Sequence, residues 1–311
     1  MKVVSYSKVV PIKNTSEEKK DLLEKFIVGV NKLGDTGLIH NGLDVLDSDV
    51  AIIQGWQHEK GKNGEHLVLR QNIIDTQLAK KKFVITADSN LFLYANKSNK
   101  PHHYLRYSIN GVFPNTGVYC DNQPDIKRWH QIQDDLNIFL EDYKRKGKHI
   151  VLCLQRNGGW SMGKYDVQDW IIHIVKELRK YTDRKIVVRP HPGDKKAVEY
   201  LNYRYNRIRY LPNVELSPFG RNLDEDLHKA WAVVNHNSSS IVGPIIQGYH
   251  AFITDPERSQ CKEVANHSLK DIENPKEFDR ELWLHRISMF HWKFSELEDG
   301  SCWQHMKSYC Q

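Results

Sequence analysis

Apolar residues along this 311-residue chain fall into two kinds of segment that alternate with each other. Short continuous runs, such as His149–Leu154 and Lys185–Val188, are typical of strands that are buried on both faces of a parallel sheet. Longer segments, such as Asp166–Tyr181, carry apolar residues at helical spacing. This alternation, which is most regular in the second half, predicts right-handed crossovers and a doubly wound parallel sheet.

The first half of the chain shows the same alternation less regularly. Its pattern predicts a strand at Val3–Tyr6, a helix at Glu17–Lys32, and strands at Val50–Gly55 and Phe83–Thr86. From Pro101 to Trp129 the periodicity disappears, and the stretch is rich in aromatic residues, asparagine, glycine and proline. We therefore expect a functional loop there, because an unstructured connection of this length is unusual in a compact domain.

Together these patterns predict an α/β protein with two Rossmann-like domains and a helical tail. We place the first domain at residues 1–145, the second at residues 146–285 and the tail at residues 286–311. A charged helix from Gln131 to Lys146 is expected to bridge the two domains. Ligands of doubly wound sheets bind beyond the carboxyl ends of the strands, so we search for chemistry in the loops there.

The composition narrows the class of protein without naming a function. The chain has 45 Lys and Arg against 39 Asp and Glu, a net charge of +6, and 40% hydrophobic residues, which argue against disorder and a polybasic tail. No apolar run has the length of a membrane span, and the first residues lack a signal-peptide profile. The five cysteines show no C-x-x-C spacing, so we expect no zinc ribbon, no disulfide framework and a cytoplasmic protein.

A glycine-bearing loop follows the first strand of the second half. Gly158 and the pair Gly163-Lys164 have nearly the spacing of a P-loop, but Tyr165 stands where the P-loop has the hydroxyl that binds Mg²⁺. This departure argues against a true P-loop. Two interpretations stay open, a loop that lets a ligand approach the backbone and a purely structural turn. The residues that could contact a ligand are Arg156, Asn157, Gly158 and Gly159.

A histidine between two prolines marks the end of the next strand. Pro190 and Pro192 fix the backbone around His191 and remove two N–H groups, which holds the imidazole at the carboxyl end of the strand. A lone histidine is most often a satisfied core residue, but Arg189 stands beside this one. The pair favours a site where the imidazole donates to a phosphate or carries positive charge beside it.

Three consecutive serines follow a later strand. Ser238, Ser239 and Ser240 come after Asn237 and directly before a predicted helix. Hydroxyl groups and backbone N–H groups at the start of a helix can bind an anion. Capping the helix requires only one of the serines, so three in a row favour a binding loop.

The order and spacing of these loops resemble those of GT-B glycosyltransferases. Arg189–Pro192, Ser238–Ser240 and Gln247–Phe252 are most similar to the capsule polysaccharide and the sialic- or Kdo-transferring types, over residues 149–260. The resemblance implies two domains that face a cleft, with the nucleotide sugar on the second domain and the acceptor on the first. It implies a tail that crosses back onto the first domain, and it implies that His191 contacts the phosphate while the serines hold the phosphate or the nucleotide.

Glycosyl transfer needs a base for the acceptor hydroxyl and groups that stabilise the departing phosphate. Asp35 and Asp88, which follow predicted elements, are the first candidates for the catalytic base, and His58 is the third. The departing charge would be met by His191 with the arginines and serines of the loops named above. His102 and His103 lack a third ligand. We therefore assign no metal and no cofactor other than the nucleotide sugar, and we expect activity without a divalent ion.

The acceptor stays open between two classes. Aromatic and basic residues before residue 130 could stack on an extruded base and contact phosphates, so we lean towards a hydroxymethylated pyrimidine in DNA, as in phage-encoded enzymes of the host cytoplasm. A capsule or cell-envelope saccharide is the alternative, because aromatic rings also stack on sugars. A P-loop-like nucleotide-binding protein or kinase is an alternative of another class. The acceptor-binding candidates are Tyr104, Arg106, Tyr107, Arg128 and Trp129, with Lys127 beside them.

Overall fold

The computed structural model describes residues 1–10, 17–56, 64–92, 104–163, 165–202 and 207–311. It divides the chain into two compact units. Unit 1 consists of Met1–Asn137 together with Leu284–Gln311, and unit 2 consists of Ile138–Trp283. The end of the chain therefore belongs to the same unit as its beginning.

Unit 1 is built on a six-stranded mixed sheet. Its strands, numbered along the whole chain, are β1 (Lys2–Tyr6), β2 (Thr36–His40), β3 (Val50–Gln54), β4 (Phe83–Asp88), β5 (Tyr104–Ile109) and β11 (His291–Lys293). They lie in the order β11-β5-β4-β3-β1-β2. The first four strands are parallel to their neighbours, whereas β5 is antiparallel to β4, and β11 is antiparallel to β5.

Helices pack on this sheet, and the last two come from the tail. They are α1 (Glu17–Lys32), α2 (Glu65–Ala79), α3 (Ile126–Leu136), α9 (Phe294–Glu298) and α10 (Ser301–Lys307), while α8 (Arg280–Ser288) spans the boundary between the units. The predicted helix at Glu17–Lys32 is confirmed, and its apolar stripe, including Leu22, Phe26 and Val30, is buried. Helix α1 contacts both α9 and α10, so the tail packs on unit 1.

The stretch that we interpreted as a functional loop carries regular structure over much of its described part. Strand β5 begins at Tyr104, and α3 begins at Ile126, where Asp125 caps the helix by accepting from the backbone N–H of Lys127 at 3.0 Å. The loop prediction is wrong there because β5 pairs on one side with β11, a strand from the far end of the chain. A local pattern carries no information about such a partner.

The bridging helix predicted from Gln131 to Lys146 is also wrong beyond Leu136. Asn137 adopts a left-handed conformation with φ of +50°, and its backbone N–H bonds the carbonyl of Gln133, which ends α3. The segment after it runs without regular structure along unit 2. There the backbone N–H of Glu141 donates to Ile246 O at 2.9 Å.

Unit 2 is built on a five-stranded parallel sheet. Its strands are β6 (His149–Cys153), β7 (Lys185–Arg189), β8 (Val214–Leu216), β9 (Ala230–Asn235) and β10 (His250–Ile253), and its helices are α4 (Val167–Leu178), α5 (Ala197–Tyr200), α6 (Leu223–Leu227) and α7 (Val242–Ile246). The strand order β10-β9-β6-β7-β8 places β6 at the centre. The chain builds outwards from β6 on one side and then returns to the other, so the topological switch point lies between β6 and β9.

The two sheets confirm the predicted fold class of two Rossmann-like halves with a tail on the first. The core of unit 2 forms from the inward faces of β6, β7 and β9 and from α4, whose Trp170, Ile171, Ile174 and Leu178 are all buried. In the ranges that the structure describes, no helix combines the length and the apolar character needed to cross a bilayer.

Candidate functional site

The loops singled out in the second half of the sequence follow neighbouring strands of the unit 2 sheet. The loop with Gly158 follows β6, the loop with His191 follows β7, and the serine loop follows β9. Because β7 and β9 lie on either side of β6, all three loops meet at one carboxyl edge, around the switch point where ligands of such sheets bind.

His191 is held in one tautomer by its own loop. Its Nδ1 accepts a hydrogen bond from the backbone N–H of Gly193 at 3.0 Å, so the neutral ring carries its proton on Nε2. Burial lowers the pKa of His191, the guanidinium of Arg156 lowers it further, and Asp194 opposes them. The imidazole is therefore a neutral hydrogen-bond donor near pH 7 rather than a cation.

Arg156 lies beside this imidazole and is exposed. A Cβ atom at Gly193 would lie 2.7 Å from Nη2 of Arg156 and 3.1 Å from Cε1 of His191. The glycine thus lets a guanidinium and an imidazole approach each other closely. Among the described residues, the basic side chains in ion pairs on either side of Arg156 along the chain are those of Arg145 and Lys180, and none of the ion pairs there involves Arg156.

The Gly158 loop is shaped for close approach but differs from a P-loop. Gly158 has φ of +67°, which favours glycine, and apart from its two chain neighbours no atom of the described residues lies within 4 Å of where its Cβ would be. Helix α4 begins at Val167, and the carboxylate of Asp166 caps it by accepting from the backbone N–H of Gln168 at 2.8 Å. In a P-loop the helix N-terminus holds phosphate, whereas here a carboxylate occupies it. Lys164 lies outside the described residues.

Arg189 and Asn157, which were predicted to bind the nucleotide sugar, instead form hydrogen bonds with other residues of unit 2. Arg189 Nη1 donates to Asp226 Oδ2 at 2.5 Å, and Nη2 donates to Arg221 O at 2.8 Å. Asp226 is fully buried, so the guanidinium of Arg189 is already paired inside unit 2, which argues against its predicted contact with the donor phosphate. The side chain of Asn157 is similarly engaged, because its amide donates to Asp166 Oδ2 at 3.2 Å.

Asn237 is buried, and its side chain connects three loops. Its Oδ1 accepts from Gln155 Nε2 at 2.7 Å, and its Nδ2 donates to Ser161 O at 3.0 Å and to Asp255 Oδ2 at 2.9 Å. With its amide fully used, Asn237 supports the serine loop rather than contacting a ligand directly. The sequence search missed Gln155 and Asp255, although each follows a strand end closely.

Within the serine loop the hydroxyl groups differ. Ser238 Oγ accepts from the backbone N–H of Ser240 at 3.2 Å, which caps the turn Ser239–Ile241 as the plain capping interpretation expects. Ser240 Oγ is buried and has no hydrogen-bond partner among the residues that the structure describes. A buried hydroxyl that lacks a partner loses free energy, which a bound acceptor atom would restore.

The surroundings of Asp35 argue against the role of catalytic base that we predicted for it. Its Oδ2 accepts from Trp303 Nε1 at 2.8 Å and from Lys307 Nζ at 2.7 Å, both in α10. Burial alone would raise the pKa of Asp35, but hydrogen bonds from Lys307, from the N-terminal ammonium of Met1 (2.5 Å to Oδ1) and from Trp303 outweigh it and lower the pKa to about 2. Such a carboxylate is a weak proton acceptor, and its contacts attach α10 to the N-terminus and to the segment between α1 and β2.

Asp88, the second candidate base, is partly exposed at the carboxyl end of β4. Its Oδ2 accepts from Arg106 Nη2 at 2.7 Å across the antiparallel pair of β4 and β5. This position agrees with the expected place for a functional carboxylate in a parallel sheet. The third candidate, His58, and the pair His102 and His103 lie outside the described residues.

The acceptor-binding candidates are buried in unit 1, which contradicts their interpretation as exposed loop residues. The exposed fractions are 0% for Tyr104, 6% for Arg106, 0% for Tyr107, 7% for Arg128 and 1% for Trp129. Such side chains offer no ring face to a base or a sugar. Among the described residues, no group of three or more His, Cys, Asp or Glu could hold a metal ion.

Two Rossmann-like units and a tail that returns to the first define a fold of the GT-B type. The chain is similar to Thermosulfurimonas dismutans KpsC, beta Kdo 2,4 transferase, with a TM-score of 0.55 and 13% identity over 94% of this chain and 91% of that one. A second structure, Thermosulfurimonas dismutans KpsC, beta Kdo 2,7 transferase, gives a TM-score of 0.52 and 10% identity over 98% and 99%. At these identities the similarity shows the fold. No family model and no curated protein match the sequence.

Proposed function

We propose that this protein is a glycosyltransferase that moves a sugar from a nucleotide-sugar donor to a saccharide acceptor. One observation carries the proposal. A neutral imidazole with its proton on Nε2 and a guanidinium that forms no ion pair with the described residues lie together against Gly193, at the carboxyl edge of a Rossmann-like sheet. The two groups suit a phosphate that gains charge as the sugar leaves.

A saccharide acceptor fits better than DNA. The preference for DNA rested on the candidates from Tyr104 to Trp129, and these side chains are buried in unit 1. The similar structures are named as Kdo transferases, which also favours a saccharide of the capsule or cell-envelope type.

The roles follow from the contacts. His191 donates from Nε2 to the departing phosphate, and Arg156 supplies positive charge without first breaking an ion pair. Ser240, whose hydroxyl has no partner within the described part of the chain, is the third contact. Asp88 takes the proton of the acceptor hydroxyl, because it is partly exposed at a strand end, unlike Asp35.

The reaction on this proposal proceeds without a divalent ion. The carboxylates of the unit 2 edge already accept hydrogen bonds from the protein, Asp166 at the start of α4, Asp194 from Asn157 and Asp255 from Asn237. Magnesium in nucleotide sites is held by carboxylate oxygens that are open to it.

The first experiment is a thermal-shift panel with CMP, UDP, GDP and ATP, followed by release of nucleotide from the matching nucleotide sugars in EDTA. We expect one of the first three nucleotides to raise the melting temperature and turnover to survive EDTA. His191→Ala should lower turnover by about 10²–10³, as expected for one lost donor to developing charge. Stabilisation by ATP alone, with Mg²⁺ required, would favour the kinase class. Unchanged turnover in a folded His191→Ala protein would reject the role of His191.

A further inference from the structure

The carboxylate of Asp194 joins two loops of the unit 2 edge. Its Oδ2 accepts from the backbone N–H of Asn157 at 2.9 Å and from the hydroxyl of Tyr200 at 2.6 Å. Its Oδ1 accepts from the backbone N–H of Lys196 at 3.1 Å, and its own N–H donates to His191 O at 3.0 Å. One side chain therefore ties the loop after β6 to the loop after β7 and to α5.

The joined loops carry the two groups that the proposed function assigns to the phosphate. Arg156 directly precedes Asn157, and His191 is three residues before Asp194. Both side chains approach Gly193, Arg156 from the loop after β6 and His191 from the loop after β7. The separation of the guanidinium and the imidazole thus depends on whether the Asp194 carboxylate keeps its hydrogen bonds.

The negative charge of Asp194 repels an anion, so its position beside a proposed phosphate site requires an explanation. Burial raises the pKa of Asp194, but hydrogen bonds from Tyr200, Asn157 and Lys196 outweigh burial and lower it, so the group stays ionised. Both oxygens accept from protein groups, which leaves this carboxylate poorly suited to bind a cation. What the charge provides is a set of strong, charge-assisted hydrogen bonds.

We propose that Asp194 is a positioning residue that, held by Tyr200, sets the spacing of Arg156 and His191 for the phosphate of the nucleotide. This inference rests on the proposed function. The contact between Asp194 and Asn157, however, is measurable without any ligand. Failure of the inference and failure of the proposed function can therefore be told apart.

The test uses the full chain with Asp194→Asn and Tyr200→Phe. An asparagine has one acceptor atom where the carboxylate has two, so it cannot accept from Asn157, Tyr200 and Lys196 together. Tyr200→Phe removes only the hydroxyl. Tyr210→Phe is the matched control, because Tyr210 is 81% exposed. Hydrogen exchange of the Asn157 amide is followed by NMR, and CMP, UDP and GDP are each titrated by calorimetry.

We expect Asp194→Asn to weaken affinity for the nucleotide about tenfold and Tyr200→Phe about threefold, with faster exchange at Asn157 and no change in Tyr210→Phe. Should Asp194→Asn fail to fold, Tyr200→Phe decides alone. Wild-type affinity in the folded variants, or unchanged exchange at Asn157, would overturn the inference. A wild-type protein that binds none of the three nucleotides overturns the proposed function, while exchange still reports whether Asp194 holds the loop.

Discussion

Arg156 in unit 2 and Arg128 in unit 1 show how differently the two units use a guanidinium. Arg156 is exposed beside His191 and has no ion pair among the described residues. Arg128 is 7% exposed, donates from both Nη atoms to Glu296 at 2.5 and 2.8 Å, and lies 4.1 Å from the ring centre of Trp292. An unpaired exposed charge is available to a ligand, whereas a buried paired one belongs to the structure.

The same contrast holds for the carboxylates. Asp35 in unit 1 is bound by Trp303 and Lys307 of the tail and holds α10 in place. Asp194 in unit 2 is bound by loop groups and holds two binding loops together. Both are engaged, but only Asp194 lies beside side chains that remain open to a ligand. Whether a hydrogen-bonded carboxylate affects ligand binding therefore depends on whether the side chains beside it are open to a ligand.

The largest expected effect is in unit 1. Arg128→Ala removes one partner of a buried ion pair and leaves Glu296 uncompensated, so we expect the free energy of unfolding to fall by about 3–5 kcal/mol in urea titrations. Lys127→Ala, exposed on the same helix, is the control and should stay within about 0.5 kcal/mol. If Arg128 contacted DNA instead, its loss would change the salt dependence of DNA binding and leave stability nearly intact.

A smaller effect, with a defined pH dependence, is expected at Asp35. Its pKa is about 2 in the folded protein against 3.8 ordinarily, so the ionised carboxylate contributes stability above pH 4 that is lost as the pH falls through 2. The shift corresponds to about 2 kcal/mol. Asp35→Asn should therefore lower the free energy of unfolding by about that amount at pH 7, and the difference from wild type should shrink below pH 4.

The control for this series is Asp134→Asn, an exposed carboxylate of α3. Urea titrations at pH 7, 4 and 2.5 compare the three proteins. A gap between Asp35→Asn and wild type that stays constant over this range would contradict the assigned contacts with Lys307, the N-terminal ammonium and Trp303.

The sequence predicted helix α1 of unit 1 with its correct bounds, but it predicted the sheet and the loops of unit 2 better than the region of unit 1 after β4. In unit 2 each strand and the helix after it are adjacent in the chain, so His191 and Ser238 could be placed at one sheet edge from the alternation alone. In unit 1, β5 pairs with β11 from the tail, and Arg128 meets Glu296 at a distance of 168 residues. A local sequence pattern does not reveal partners that are so distant in the chain. The buried candidates from Tyr104 to Trp129 therefore have the sequence pattern of an exposed aromatic and basic loop.

Even in unit 2, the sequence could not distinguish residues that face a ligand from residues that hold the loops. Arg189 and Asn237 have the right chemistry and position, but Asp226 and Asp255 engage them. Asp226 lies in α6 and Asp255 in the loop after β10, so these partners become visible only when the elements are arranged in space. Strand ends locate candidate residues, and the hydrogen bonds of each side chain decide between binding and support.

The smallest and sharpest change is Gly193→Ala. A methyl group there would lie 2.7 Å from Nη2 of Arg156 and 3.1 Å from Cε1 of His191, inside normal contact distance. Gly193 lacks a positive φ, so alanine fits the backbone, and both neighbouring atoms are at the ends of flexible side chains. We therefore expect the free energy of unfolding to change by less than about 1 kcal/mol. Nucleotide affinity should fall about tenfold, because the guanidinium and the imidazole are forced apart.

The matched control is Gly64→Ala in unit 1, where the nearest described atoms to a methyl group would also belong to a side chain, with Cε1 of His66 at 2.8 Å. Calorimetric titration with CMP, UDP and GDP measures affinity, and urea titration measures stability. Gly64→Ala should leave affinity unchanged. If Gly193→Ala binds like wild type while folding normally, then Arg156 and His191 do not act on one phosphate. The position of the exposed Arg156 guanidinium would then have no effect on a ligand. The difference between Arg156 in unit 2 and the buried Arg128 in unit 1 would be a difference in exposure to solvent and not in ligand binding.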